Sequence, residues 1–420
     1  MARTEDLAVS EALDLVLGRI NVLEAEDTPL AEALGRVLTA PIIARDDLPP
    51  FANSSMDGYA VRAADLAGAS GSTPVSLRVL ADIAAGATPT VVIQPGTAAR
   101  IMTGAPMPSG ADSVVPVEDT DEPWRGGDRP LPEVVFIQRA VEAGAFVRHP
   151  GEDIRSGMTV LQAGHVLRPQ EIGVLASLGI ARVPVVRRPR VGILSTGDEL
   201  VNIDADLTPG KIRNSNSYAQ AAQVLALGGV PVMLGVARDS EADIRARLDA
   251  AAAERVDLLI SSAGVSVGAY DKVKEVLDGA GDVAFWRVRM RPGKPLAFGS
   301  YSGIPYLGLP GNPVSAMVSF ETFARPAILK LGGHTDFERP RVQAILLEDI
   351  RSDGRESYLR AVVTRDEQGY VALTTGSQGS HIMMSLVRAN ALLVIPEGVT
   401  EVTAGTPLTA LMLDWSGGVF

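Results

Sequence analysis

Four short clusters in the second half of the sequence combine residue types that handle anions and hard cations. They are Thr196 to Glu199, the Ser261–Tyr270 loop, Arg291-Pro292-Gly293-Lys294, and Leu309 to Pro313. Each follows a compact apolar run that reads as a strand, and open α/β sheets bind ligands outside the carboxyl ends of their strands. Ordinary turn chemistry would explain any one cluster. All four on one sheet edge favour a binding site. The run after Asp282 sharpens the chemistry. Arg287, Arg289 and Arg291 alternate with Trp286, Val288 and Met290, which predicts one arginine face on a strand. Lys294 follows, and no acid occurs between Asp282 and Glu321. A cationic stretch of this kind suits an anion, although a solvated edge face is the alternative. Asn312-Pro313 starts a helix and adds free backbone N–H groups at the positive end of its dipole.

Carboxylates beside such a site need another partner. Asp57, Asp153, Asp198, Glu199, Asp239 and Asp271 fall in loops or at element ends. An anion would repel them, whereas Mg²⁺ takes hard oxygen ligands and bridges phosphate oxygens. Taken singly, each is equally a cap or turn former: Asp239 and Asp271 precede helices, and Asp57-Gly58 is a turn pair.

The elements that must position these residues are legible in outline. Residues 9–40 read as two helices, one capped by Ser10 and one started by Thr28-Pro29. Residues 45–149 hold short β runs, Val75–Leu80, Val91–Ile93, Val114–Val117 and Val134–Ile137, between glycines and prolines. From Pro189 strands and helices alternate: Val191–Leu194, Asn216–Leu227, Val230–Val236, a helix capped by Ser240, Val256–Ile260, Asp271–Leu277, Val283–Met290 and Tyr306–Gly308. A long helix then runs from Asn312-Pro313 to about Leu331. That alternation predicts a mostly parallel sheet with helices on both faces. Residues 340–420 return to β runs and read as a small barrel.

Bulk properties exclude several function classes. The chain has 420 residues, 46% of them hydrophobic, enough for several cores. A formal net charge of −12 argues against wholesale binding to nucleic acid or an anionic membrane. Cysteine is absent, which rules out disulfides and thiolate metal sites, and none of the four histidines has a zinc-ligand spacing. The acidic start is unlike a signal peptide, and the longest apolar stretch, Val224 to Ala237, is interrupted by Gly228, Gly229 and Pro231. A soluble cytoplasmic protein is the expectation.

Seven segments together resemble one family. Pro50–Val61 (PFANSSMDGYAV) is similar to its PFxNSAMDGYAV segment, Ile101–Pro106 to IMTGAP, Gly151-Glu152-Asp153 to GED, and Ser195–Leu200 to STGDEL. Ser261–Gly268 is similar to SSGGVSVG; Pro292–Pro295 and Gly308–Ser315 complete the series, in family order over nearly the whole chain. The family is bacterial MoeA, the molybdopterin molybdenumtransferases, similar also to the C-terminal domain of gephyrin. The resemblance implies a fold of α/β plus β type in several domains. Residues 1–44 would be the helical part of a discontinuous linker and dimerisation domain continued by 150–188. Residues 45–149 would form a β-rich insert, 189–335 a central doubly wound, mostly parallel α/β domain that binds molybdopterin, and 336–420 a C-terminal small β-barrel.

Carried over by motif, the resemblance implies catalytic positions Asp57, Thr103, Glu199, Asp239 and Asp271, with Glu199, Asp271 and Asp57 toward Mg²⁺. It implies substrate-binding positions Asp153, Arg287, Arg291, Lys294, Pro310, Pro313 and Ser380; Ser262, Gly264 and Asn312 join them from the same clusters. Arg287 and Arg291 stand where the family often has lysine, exchanging a point charge for a planar fork. Ala263 replaces a family glycine. The implied reaction inserts molybdenum from molybdate into molybdopterin adenylate with release of AMP. The implied assembly is a two-fold homodimer whose clefts draw on both chains, with other cofactor-biosynthesis enzymes as further partners. Adenylyl transfer to molybdopterin and a non-catalytic scaffold of the gephyrin type are the rival readings.

Overall fold

A computed structural model describes residues 6–122, 130–262, 273, 275–277, 283–367 and 369–414. The chain divides into two compact units, one of Ala40–His165 with Pro169–Arg182, the other of Met1–Thr39, Val166–Arg168 and Val183–Phe420.

The first unit is built on a five-stranded sheet, ordered Ser113–Pro116, Gly58–Val61, Thr97–Ile101, Val75–Ile83, Val134–Ile137 among the described residues. Alternation along the strands feeds two cores. Tyr59, Val61, Leu77 and Val115 pack on one side, and Ala60, Ile83, Ile101 and Val114 on the other. The short strands Gly58–Val61 and Thr97–Ile101 have no clear apolar alternation and were not expected from sequence; Val91–Ile93, which was, makes only an isolated bridge from Val92 to Ser109.

In the second unit a seven-stranded sheet runs Asp6–Leu7, Val283–Val288, Pro295–Tyr301, Ile304–Leu309, Leu258–Ser262, Arg190–Thr196, Val230–Ala237 among the described residues. Its central strands are parallel and buried on both faces, which is why they read as unbroken apolar runs. The expected α/β arrangement is present. Pro295–Tyr301 is an addition: it lies antiparallel to both neighbours and makes the sheet mixed. Its leading proline and Gly299 hid it in the sequence.

The helix from Asn312-Pro313 ends at Leu331 as expected, with a π-helical segment, Phe320–Ala324, between Pro313–Ser319 and Arg325–Leu331. Near the N-terminus one helix forms rather than two. Val9–Gly18 starts after Ala8, whose N–H donates to Glu11 Oε2 at 2.7 Å, so Ser10 lies inside the helix and is not its cap. Thr28-Pro29 closes a strand, Ala25–Pro29, and only a single 3₁₀ turn, Leu30–Glu32, follows. With Ala33, Leu34 and Gly35 next, too few periodic apolar positions exist to sustain a helix.

The expected barrel is present in the same unit. Glu356–Asp366, Gly369–Thr374, Arg341–Leu346, Pro407–Met412 and Ala391–Ile395 pair in that order, and the last returns to the first to close the ring. Ala344, Leu359, Val363, Leu393 and Ala410 fill it. Met290–Arg291 adds a short strand beside Glu356 and Ser357.

Candidate active site

Several of the sequence clusters converge on a cavity of about 950 Å³ at the carboxyl ends of the central strands. Glu199, Ser262, Arg291, Lys294, Pro310, Asn312, Pro313 and Ser380, all expected from sequence, line it. Arg213 and Arg355 line it too, so among the described residues four full cations face one lining carboxylate, Glu199.

Each wall has a local cause. After Thr196 the chain turns at Gly197, whose φ of +144° suits glycine. A Cβ there would lie 2.5 Å from Glu199 Oε2, so the missing side chain is the space that Glu199's carboxylate occupies. Glu199 O accepts from Ile212 N at 2.9 Å, and Leu200–Val201 pairs with Ile212–Arg213. That small ladder sets Arg213 in the same wall as Glu199. Gly293 has φ +110°, and a Cβ would lie 2.5 Å from Ser319 Oγ and 3.2 Å from Met290 Cε. Only glycine lets the Arg291–Lys294 turn lie this close to the 313–331 helix.

The remaining wall is tied by polar bonds. Asn216 Nδ2 donates to Gly311 O at 2.8 Å, and Val314 N donates to Ser380 O at 3.1 Å. The helix start therefore holds the Gln378–His381 loop. Behind that loop Arg360 is buried, at 1% exposure. Its Nε donates to Ser385 Oγ at 3.1 Å and its Nη2 to Gly379 O at 3.3 Å. Gln378 completes the brace, accepting from Arg360 N at 2.9 Å and donating to Arg360 O at 3.2 Å. Burial first, and the charge of Arg291 second, push the Arg360 pKa down to about 10, which leaves it cationic at neutral pH. Arg355 and Arg291 share Asp353, at 3.1 Å from Arg355 Nε and 3.6 Å from Arg291 Nη1. The hydrogen bond from Arg355 holds the Asp353 carboxyl below its ordinary range. Among the described residues, cations still outnumber carboxylates around the cavity.

Other expected positions lie elsewhere. The single arginine face does not form: the strand ends at Val288, and Met290–Arg291 leaves for the barrel. Arg287 is exposed on the strand beside the N-terminal one, in register with Asp6, and is not in the cavity wall. Arg289 is held by Glu397 and by the carbonyl of Asp6. The N-terminal strand Asp6–Leu7 occupies this edge of the sheet. Asp239 follows the outermost strand and donates its N–H to Asp198 Oδ1 at 3.2 Å. In the other unit Thr103 donates both N–H and Oγ1 to Asp57 Oδ1, at 2.7 and 2.8 Å, so these two expected partners do meet. Asp153 sits in a turn with its N–H on Leu48 O at 3.0 Å. Asp271 and Gly264 fall outside the described residues.

Fold and cavity together define a multidomain α/β protein with a cation-lined cavity at its strand ends. Comparison with known proteins is specific. Residues 7–179 match the MoeA N-terminal region (domain I and II), 192–330 a probable molybdopterin binding domain, and 343–413 the MoeA C-terminal region (domain IV). The chain is 44% identical over 387 residues to molybdopterin molybdenumtransferase 2 of Mycobacterium tuberculosis, covering 90% of this chain and 93% of that one. It is 39% identical over 417 residues to the molybdopterin molybdenumtransferase of Nostoc, covering 97% and 94%. The molybdopterin biosynthesis MoeA protein of Pyrococcus horikoshii superposes with a TM-score of 0.79 at 30% identity, over 97% of this chain and 100% of that one. The chain belongs to the MoeA family of molybdopterin molybdenumtransferases.

Proposed function

We propose that this chain completes the molybdenum cofactor, transferring molybdenum from molybdate to adenylylated molybdopterin with release of AMP. The observation that carries this reading is the cavity wall in which Arg213, Arg291, Lys294 and Arg355 face Glu199, the one lining carboxylate among the described residues. Substrate phosphates and molybdate are anions, and preorganised cations stabilise the charge that builds on phosphate oxygens as an anhydride breaks. The Arg360–Gln378 brace holds Ser380 and His381 against the same space.

Mg²⁺ suits the residues present. The ion is commonly held by one or two carboxylates and completed by substrate phosphates. Glu199 is such a carboxylate, and no preformed cage of three His, Cys, Asp or Glu occurs among the described residues. Asp271 would be the second ligand by motif. When bound, the ion would supply further neutralisation at the pyrophosphate link. Asp57 with Thr103, and Arg287, Asp153 and Asp239, complete the residues that the family resemblance assigns to the reaction. We further propose a cytoplasmic homodimer; native mass spectrometry should give twice the 44.0 kDa chain mass.

The discriminating assay supplies either preformed molybdopterin adenylate with molybdate, or ATP with molybdopterin. AMP released only from the adenylate, dependent on Mg²⁺ and on Glu199, supports the reading. Adenylate formed from ATP would replace it with adenylyl transfer. Full turnover in excess EDTA would remove the metal from the account.

A further inference from the structure

At the cavity floor four buried polar side chains touch one another. Ser195 Oγ lies 2.9 Å from Asn214 Oδ1, 2.8 Å from Ser217 Oγ and 2.9 Å from Ser262 Oγ. All four residues are at most 5% exposed, and Asn214 and Ser262 line the cavity.

The proton positions in this cluster follow by elimination. Asn214 caps the helix Ser215–Ala226: its Oδ1 accepts from Ser217 N at 3.3 Å, and its Nδ2 donates to Ser217 Oγ at 3.0 Å. A flipped amide would face an NH₂ against that N–H, so the orientation is fixed. Oδ1 can only accept, and a hydroxyl has one proton and two lone pairs. Ser195 must therefore donate to Asn214. Its two remaining contacts are both acceptances, which makes Ser217 and Ser262 the donors. Ser262 has then committed its only proton to Ser195, and any further group meeting its Oγ has to donate.

We propose that Ser262 is the point at which the site reads a neutral hydrogen-bond donor of its substrate, an N–H or O–H on a ring or sugar, and that it turns away oxyanions. Phosphate and molybdate oxygens carry lone pairs and would oppose those of Ser262; their place is against the cations of the Arg291–Lys294 turn and Arg355. The cavity is thus polarised, with an acceptor at Ser262 and cations at the Arg291–Lys294 turn and Arg355, and a substrate with a donor-bearing end and phosphates enters in one orientation. Ser195 and Asn214 are positioning residues that set this polarity. The inference rests on the proposed function, which places the substrate in this cavity.

Calorimetric titration of wild-type protein and Ser262→Ala with three probes, molybdopterin, AMP and inorganic phosphate, tests it. The variant should lose roughly tenfold in affinity for molybdopterin or for AMP, the value of one hydrogen bond, with phosphate unchanged. Which of the two weakens tells whether pterin or nucleoside is read. Equal weakening toward phosphate, or no weakening toward either organic probe, overturns the proposal. Wild-type protein that binds none of the three would instead remove the proposed function. A neutron structure decides the polarity without any ligand, and also if the variant fails to fold. The deuteron on Ser262 Oγ should lie on the line to Ser195, and a deuteron aimed into the cavity overturns the assignment.

Discussion

Glu199 owes its place to an absence. Because Gly197 has no Cβ, the carboxylate of Glu199 can fold back over the turn. Gly197→Ala would put a methyl group 2.5 Å from Oε2, and a flexible carboxylate end would swing away. We expect AMP release to fall at least tenfold, as in Glu199→Gln, while the far-ultraviolet circular dichroism is kept and stability drops by about 1 kcal/mol, the strain of alanine at positive φ. Unchanged turnover would show that Glu199 needs no such fixed position. Glu199 and Lys294 are legible in the sequence because their neighbours form continuous motifs, whereas Ser380 rests on the short run Gly379-Ser380-His381 alone. Arg213 and Arg355 are not legible there. In sequence they are single arginines in polar turns, beside Asn214 and after Asp353-Gly354, and only the ladder at Ile212–Arg213 and the shared Asp353 bring them to the cavity.

At the scale of elements, local patterns succeeded where one face is buried and failed where distant chain intervenes. The barrel strands are short apolar runs with one face in the core, which is why residues 340–420 read as a small barrel. The arginine strand was misread because nothing near it announces that Asp6–Leu7 will pair with it or that Glu356 will capture Met290. Barrel closure itself hangs partly on a side chain. Asn390 Oδ1 accepts from Val363 N and its Nδ2 donates to Val363 O, both at 2.8 Å, imitating one more strand residue. Asn390→Ala should cost about 1–3 kcal/mol, two net hydrogen bonds, measured by urea unfolding; a cost below about 0.5 kcal/mol, the usual limit of surface effects, would show that water replaces them. His334, just past the helix 313–331, gives a pH effect. Burial, and then the charge of Arg325, lower its pKa, so the fold favours the neutral ring. Its contribution is complete above the unfolded value of about 6.5 and is lost as pH falls through that value toward the lowered one. Melting temperatures from pH 7.5 to 5 should decline less steeply in His334→Gln than in the wild type. Parallel declines would assign the effect to other groups.

Over the whole molecule, the charge of −12 and the cationic cavity oppose each other. A small anion is repelled at long range and held at short range, and salt screens exposed charges beyond a Debye length of about 8 Å at physiological strength. Added salt should therefore raise the KM for molybdate only modestly in the wild type. In a charge-neutralised Arg213→Gln, Arg355→Gln variant KM should be several-fold higher at low salt and should converge on the wild type as salt rises. Salt curves that stay parallel would show that these arginines do not act through charge. Finally, the barrel is not contained in the C-terminal segment that encodes most of it. Met290–Arg291 belongs to its sheet, and Arg355 Nη1 donates to Met290 O at 3.2 Å. Genetic recombination that exchanged residues 336–420 between relatives would graft a barrel onto a foreign edge strand. Exchanges that survive should carry residues 290–291 along, so that sequence drift on the two segments is inherited jointly although some 45 residues separate them.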